Sequence, residues 1–105
     1  MNEQEDPILE KLRRALSRAY GNRIERLVLY GSRARGDART DSDYDVALFL
    51  HDLKSPWPEL DHIAQIELDI MDETEAFIHT TPFPAGSWAN RTSLMGEIRR
   101  EGLDL

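Results

Sequence analysis

Two aspartates, Asp43 and Asp45, flank a tyrosine in the stretch Ser42-Asp43-Tyr44-Asp45-Val46. Asp is depleted in strands because its short polar side chain competes for backbone hydrogen bonds, so a pair at i and i+2 in a strand-like run calls for an explanation. That spacing puts both carboxylates on one face of a strand, with Cα atoms about 7 Å apart. From there they can converge on a hard divalent cation, of the kind bound by one or two carboxylates plus phosphate oxygens. Without a cation or a proton, two like charges this close repel. Taken alone, the pair is more simply a strand whose first residues emerge into solvent.

Gly31-Ser32 precedes the pair by ten intervening residues and follows the apolar run Leu27-Val28-Leu29-Tyr30. Glycine after a buried strand permits a tight turn or the close approach of another backbone. Serine at the start of a helical turn offers a hydroxyl beside exposed N–H groups, an anion-binding arrangement, and it serves as readily for an ordinary helix cap. Together the two motifs place a phosphate cradle at the end of one strand beside a metal-binding pair on the next.

The elements that must position these residues are legible along the chain. Asp6-Pro7 opens a helix over residues 7–20, with apolar residues at Ile8, Leu9, Leu12, Ala15, Leu16 and Ala19, a Glu10–Arg14 pair and Gly21 as terminator. Ile24–Tyr30 reads as a strand buried on both faces. A short helix is expected near Ser32. Asp43–Leu50 is the second strand, with Tyr44, Val46, Leu48 and Leu50 facing one way and Asp43, Asp45, Ala47 and Phe49 the other. Pro58 opens a second long helix, with apolar positions Leu60, Ile63, Ala64, Ile66, Leu68, Ile70 and Met71. A third strand is expected at about Ala76–Thr80, a loop at Pro82–Gly86, and a last helix capped by Asn90 and closed by Gly102. Trp57 and Trp88 are expected as lids on the core. With no repeat or linker, residues 1–105 read as a single α/β (α+β) domain.

The stretch Gly31-Ser32-Arg33-Ala34-Arg35-Gly36 through Ser42-Asp43-Tyr44-Asp45-Val46 resembles the Gly-Ser-x10-Asp-x-Asp motif of the polymerase-β-like nucleotidyltransferases. Its Gly-Ser-x-Ala-Arg-Gly and Ser-Asp-x-Asp-Val details resemble the minimal, MNT-type members. The resemblance implies a short mixed sheet with helices mainly on one face and the nucleotide on the other. It implies that Gly31 and Ser32 hold the β- and γ-phosphates of ATP, and that Asp43 and Asp45 hold Mg²⁺, two ions in all. An acceptor hydroxyl then attacks the α-phosphorus and pyrophosphate leaves. Arg33 and Arg35 are candidates for further phosphate clamps, the alternative being a solvated helix surface. Members of this group are commonly antitoxins paired with a HEPN-type toxin, some transferring AMP to it, so a hetero-oligomer is expected.

The family also uses a third carboxylate from the neighbouring strand. The matching run here, Glu75-Ala76-Phe77-Ile78-His79-Thr80, holds no Asp. By parity, Glu75, Phe77 and His79 face the nucleotide side. Glu75 is the nearest substitute, and His79 is a second candidate for moving a proton. Two readings therefore stand: an active nucleotidyltransferase, or a catalytically weakened nucleotide-binding or toxin-neutralising module.

Composition bounds the rest. Thirteen Lys and Arg against twenty Asp and Glu give a net charge of −7, which disfavours tight binding to duplex nucleic acid. Eleven of the cations are Arg, and Arg33, Arg35 and Arg39 crowd one short stretch, where their planar forks suit phosphate oxygens. The absence of cysteine excludes disulfides and thiol chemistry. No apolar run is long enough to span a membrane, and the acidic N-terminus does not resemble a signal peptide, so a cytoplasmic protein is expected. The three histidines show no metal-ligand spacing.

Overall fold

The computed structural model describes residues 6–39 and 42–105; the acidic Met1–Glu5 segment and Thr40-Asp41 of the polar stretch lie outside the described residues. Helix α1, Pro7–Tyr20, starts where Asp6 Oδ1 accepts the N–H groups of Ile8 (2.9 Å) and Leu9 (3.4 Å). The expected Glu10–Arg14 pair forms at 2.9 Å on its outer face. Leu9, Leu12, Leu16 and Tyr20 fall on the buried stripe.

Strand β1, Ile24–Tyr30, runs antiparallel to β2, Tyr44–Leu50, which lies parallel to β3, Ile78–Pro84. A two-residue strand β4, Leu103–Asp104, pairs antiparallel with β1, giving a mixed sheet of order β3-β2-β1-β4. β4 is too short for periodicity to reveal. Helix α2 is the single turn Ser32–Arg35, α3 is Trp57–Thr74 and α4 is Ser93–Glu101.

The alternation in β2 divides the core in two. Tyr44, Val46, Leu48 and Leu50 join Leu27 and Leu29 under α1 and α3. Ala47 and Phe49 join Val28 on the opposite face, covered by Met95 and Ile98 of α4. The two long helices thus lie on one face, while the short α4 covers only part of the other. Phe49 stacks on Phe83 at 5.5 Å and meets Trp88 edge-on at 6.0 Å.

Four expectations need correction. Pro82–Pro84 is strand, not loop: β3 is an edge strand, and its Thr80 N–H points away from β2 to Glu67 Oε2 (2.6 Å). Pro82 and Pro84 share that parity, so their missing N–H groups cost the ladder nothing. The cap of α4 is Thr92, whose hydroxyl accepts from Met95 N–H at 3.1 Å, whereas the Asn90 carbonyl accepts from Arg99 at 3.0 Å. Trp88 is a core lid as expected, but Trp57 is 74% exposed at the start of α3. Finally, β3 begins at Ile78 and not Ala76, which removes Glu75 from strand parity altogether.

Candidate functional site

The site is assembled by the β1–β2 register. Tyr30 at the end of β1 pairs with Asp45, so the chain leaving β1 as Gly31-Ser32 runs beside the chain entering β2 as Asp43-Tyr44. Gly31 is buried and adopts φ +76°, a left-handed conformation that favours glycine. A Cβ there would lie 2.5 Å from Asp45 Oδ2. The backbone of the turn is therefore packed directly on the carboxylate. Ala34 and Arg35 donate their N–H groups to the Gly31 carbonyl (both 3.1 Å), which leaves the Ser32 N–H, at the start of the turn, outside the helical pattern.

Arg33 holds this arrangement together. Its guanidinium donates to the Ser42 carbonyl through Nε (3.0 Å) and Nη2 (2.8 Å), and it lies 4.1 Å over the Tyr44 ring. The Tyr44 hydroxyl donates in turn to Asp6 Oδ2 at 2.8 Å, and Asp6 is also the cap of α1. Burial, then that carboxylate, push the Tyr44 phenol up to about 12, so it stays a donor at neutral pH. A chain of contacts from α1 through Tyr44 and Arg33 thus fixes where the peptide enters β2, and with it Asp43.

Arg35 points elsewhere. It pairs with Glu101 at 2.9 Å, Asp37 at 3.3 Å and Glu97 at 4.0 Å, tying the turn to α4. Asp43, the residue before β2, is more exposed than Asp45 and near enough for its charge to act on the Asp45 carboxyl. His79, opposite Asp45 in the β2–β3 register, brings Nε2 to 3.0 Å from Asp43 Oδ2. Burial raises the Asp45 carboxyl above its ordinary range; Asp43 and Glu97 add to the rise, and His79 and Arg35 oppose it. Burial, then the charges of Asp45 and Glu97, likewise hold the Tyr30 phenol high.

Glu75 lies apart from the pair's strand neighbours. It is the C-cap of α3 at φ +64°, lining a hollow of about 370 Å³ with Arg33, Ser42, Tyr44 and Phe77. Two participants escaped sequence reasoning: Glu97, whose i, i+4 pairing with Glu101 around Arg35 needs α4 folded back over the sheet, and Tyr30, visible only once the register is known. His79 had a signal, its parity in β3.

Among the described residues, no group of three or more His, Asp or Glu forms a metal-binding cluster. The donor set is a pair of hard carboxylate oxygens, one of them half-buried and disfavoured as a bare anion. That chemistry fits Mg²⁺ completing its shell with phosphate oxygens and water. Asp43 and Asp45 are the residues that would hold it.

An antiparallel β1–β2 pair whose connection returns a Gly-Ser turn onto an Asp-x-Asp strand defines a nucleotidyltransferase architecture. The sequence matches the polymerase beta nucleotidyltransferase family over residues 10–101, and the chain belongs to that family. No curated protein matches it by sequence. Among solved structures, it is similar to a toxin–antitoxin complex with AMP-PNP, at TM-score 0.66 and 16% identity, covering 99% of this chain and 72% of that one. A variant of the toxin–antitoxin pair MntA–HpeT, in which two aspartates two positions apart are replaced by glutamate, aligns at TM-score 0.65 and 14% identity, with the same coverages of 99% and 72%. A nucleotidyltransferase candidate from Sulfolobus solfataricus aligns at TM-score 0.63 and 13% identity, over 92% of this chain and 75% of that one. At these identities the likeness is one of fold. No helix among the described residues is long and apolar enough to cross a membrane.

Proposed function

We propose that residues 1–105 act as one minimal nucleotidyltransferase domain, transferring AMP from ATP to a hydroxyl of a HEPN-type toxin and serving as its antitoxin in a cytoplasmic complex. The observation that carries this reading is the packing of the Gly31 backbone on the Asp45 carboxylate, which makes the phosphate turn and the acidic pair one site. The fold neighbours that are toxin–antitoxin complexes, one holding AMP-PNP, support the biological half.

In this reading Gly31 and Ser32 receive the β- and γ-phosphates, and Arg35 turns from its acidic partners on α4 to the same anion. Asp43 and Asp45 would hold two Mg²⁺ ions, which would supply charge neutralisation to the reacting phosphate. The acceptor oxygen forms a bond to the α-phosphorus while the bond to the bridging β-phosphate oxygen breaks. Pyrophosphate leaves with that electron pair, and the hydroxyl proton passes to a nearby base or water. Positioning by the turn, the pair and Arg33 supplies much of the remaining rate. Glu75 is retained as a candidate base, reached only if the acceptor enters past the hollow it lines.

A second reading has its own observation: β3 presents His79, not a carboxylate, opposite Asp45. In that reading the chain neutralises the toxin by binding it, and chemistry is weak. Labelled ATP, Mg²⁺ and the HEPN-type partner separate the two. Transfer of label that falls at least about 10³-fold in Asp43→Ala and Asp45→Ala supports the enzyme, a loss on the scale of removing transition-state charge stabilisation. Neutralisation that persists in both variants without label on the partner supports binding alone.

A further inference from the structure

Helix α3 carries an apolar stripe that the fold leaves uncovered. Its sheet-facing side chains are Ile63 and Ile70, both buried. Trp57, Leu60, Ala64, Leu68 and Met71 recur at helical spacing on the flank beside them. Trp57 is 74%, Leu68 48% and Leu60 36% exposed, and Phe77, 57% exposed, continues the line beyond the helix. Single exposed apolar residues need no account, but a contiguous stripe does. Between this flank and the outer edge of β3 lies a groove of about 400 Å³ that ends at Phe77 and His79, beside Asp43.

We propose that this groove docks the protein that receives the nucleotide, through an amphipathic helical segment with apolar side chains and flanking Lys or Arg. The inference rests on the transfer reaction proposed above. Three observations select the occupant. The first is position. Pyrophosphate leaves toward Gly31-Ser32, on the β1 side of β2, and an in-line displacement brings the acceptor from the opposite side, over β3. The groove opens there.

The second is charge. α3 holds Glu59, Asp61, Glu67, Asp69, Asp72 and Glu73 and no Lys or Arg. Glu59 and Glu73 pair with Arg23 and Lys11, and Asp69 faces α1, so Asp61, Glu67 and Asp72 are the acids that border the stripe. This flank complements a basic amphipathic partner and repels a second copy of a chain with net charge −7. The third is the edge itself. The Thr80 N–H is taken by Glu67, and Pro82 and Pro84 have none to offer, so β3 cannot readily extend its sheet with an added strand. Side chains entering a groove are the recognition mode left open.

The test uses the whole chain and the purified HEPN-type partner, without nucleotide, in titration and in hydrogen exchange. Partner binding is expected to protect amides in residues 57–71 and 76–79. Leu68→Glu is expected to weaken the complex by about 30-fold or more, the loss typical of an interface hot spot. Asp61→Lys and Asp72→Lys should weaken it less and flatten its salt dependence. All three variants should bind Mg-ATP as the parent does, which shows that they fold. The inference is overturned by Leu68→Glu binding the partner as tightly as the parent, by protection falling on α1 or α4, or by a self-associating parent that Leu68→Glu converts to monomer. A parent that docks through this groove but transfers no label refutes the reaction and leaves the docking surface standing. A parent that does not bind the partner refutes the docking.

Discussion

The two faces of β2 are built from one seven-residue strand and end differently. Toward α1 and α3, Tyr44, Val46, Leu48 and Leu50 are all buried, and the face is closed from end to end. On the other face, Ala47 and Phe49 are sealed under α4 and Trp88, while Asp43 and Asp45 lie in the open corner where β1 turns at Gly31. The closed face and the sealed half of the open one supply the apolar burial that offsets the cost of holding two carboxylates side by side. Stability and chemistry are divided by parity along a single strand.

Breaking the sealed half should have the largest effect on stability. Phe49 is fully buried between Phe83 and Trp88, so Phe49→Ala should cost about 3–5 kcal/mol in denaturant unfolding, enough to threaten folding of a chain this small. A cost below about 1 kcal/mol would mean that this half of the face is not a packed core.

Gly31→Ala probes the boundary between turn and acid. The added methyl meets Asp45 Oδ2 at 2.5 Å and the backbone stays at positive φ, so Asp45 must move. The expected loss is about 1–2 kcal/mol of stability with a fall of roughly 10²-fold in label transfer, the scale set by an ångström of misplacement. Equal activity in the variant would separate the turn from the pair.

The smallest effect has the opposite sign. Burial raises the Asp45 carboxyl above its ordinary 3.8, so the folded state binds the proton more tightly than the unfolded chain. The stability contributed by this one carboxyl is fully present below 3.8 and is lost as pH rises through the raised value. Asp45→Asn cannot ionise, so it should melt higher than the parent at pH 7 and no higher below pH 3.8. The gain should be a few degrees at most, since about 1 kcal/mol moves Tm by roughly 4–8 °C in a domain of this size and Asp45 is only partly buried. Mg-ATP should stabilise the parent and not the variant.

The same contrast explains what the sequence made legible. The closed face followed from periodicity: α1, β1 and β2 stand where apolar spacing and the Asp6 cap put them, and Gly31-Ser32 and Asp43/Asp45 meet because strand parity and a glycine are local facts. What escaped depends on long-range placement. Arg33 read as a phosphate clamp, yet its guanidinium is committed to the Ser42 carbonyl and the Tyr44 ring, a role that exists only once the 31–43 connection has closed. Glu75 reads as a strand residue only if parity is carried three positions ahead of Ile78, where β3 begins. Pro82 and Pro84 read as loop because a proline's cost depends on which way its missing N–H points, and that requires knowing that β3 is an edge. Glu97 had no local signal at all.

The most direct measurement is paramagnetic broadening of backbone amides by Mn²⁺ in the presence of ATP, comparing the parent with Asp43→Ala/Asp45→Ala. Broadening should centre on residues 31–33 and 43–45, with residue 79 at its margin, and should collapse in the variant. Broadening centred on the acidic flank of α3, or undiminished without the two aspartates, would contradict the assignment of this corner as the nucleotide site.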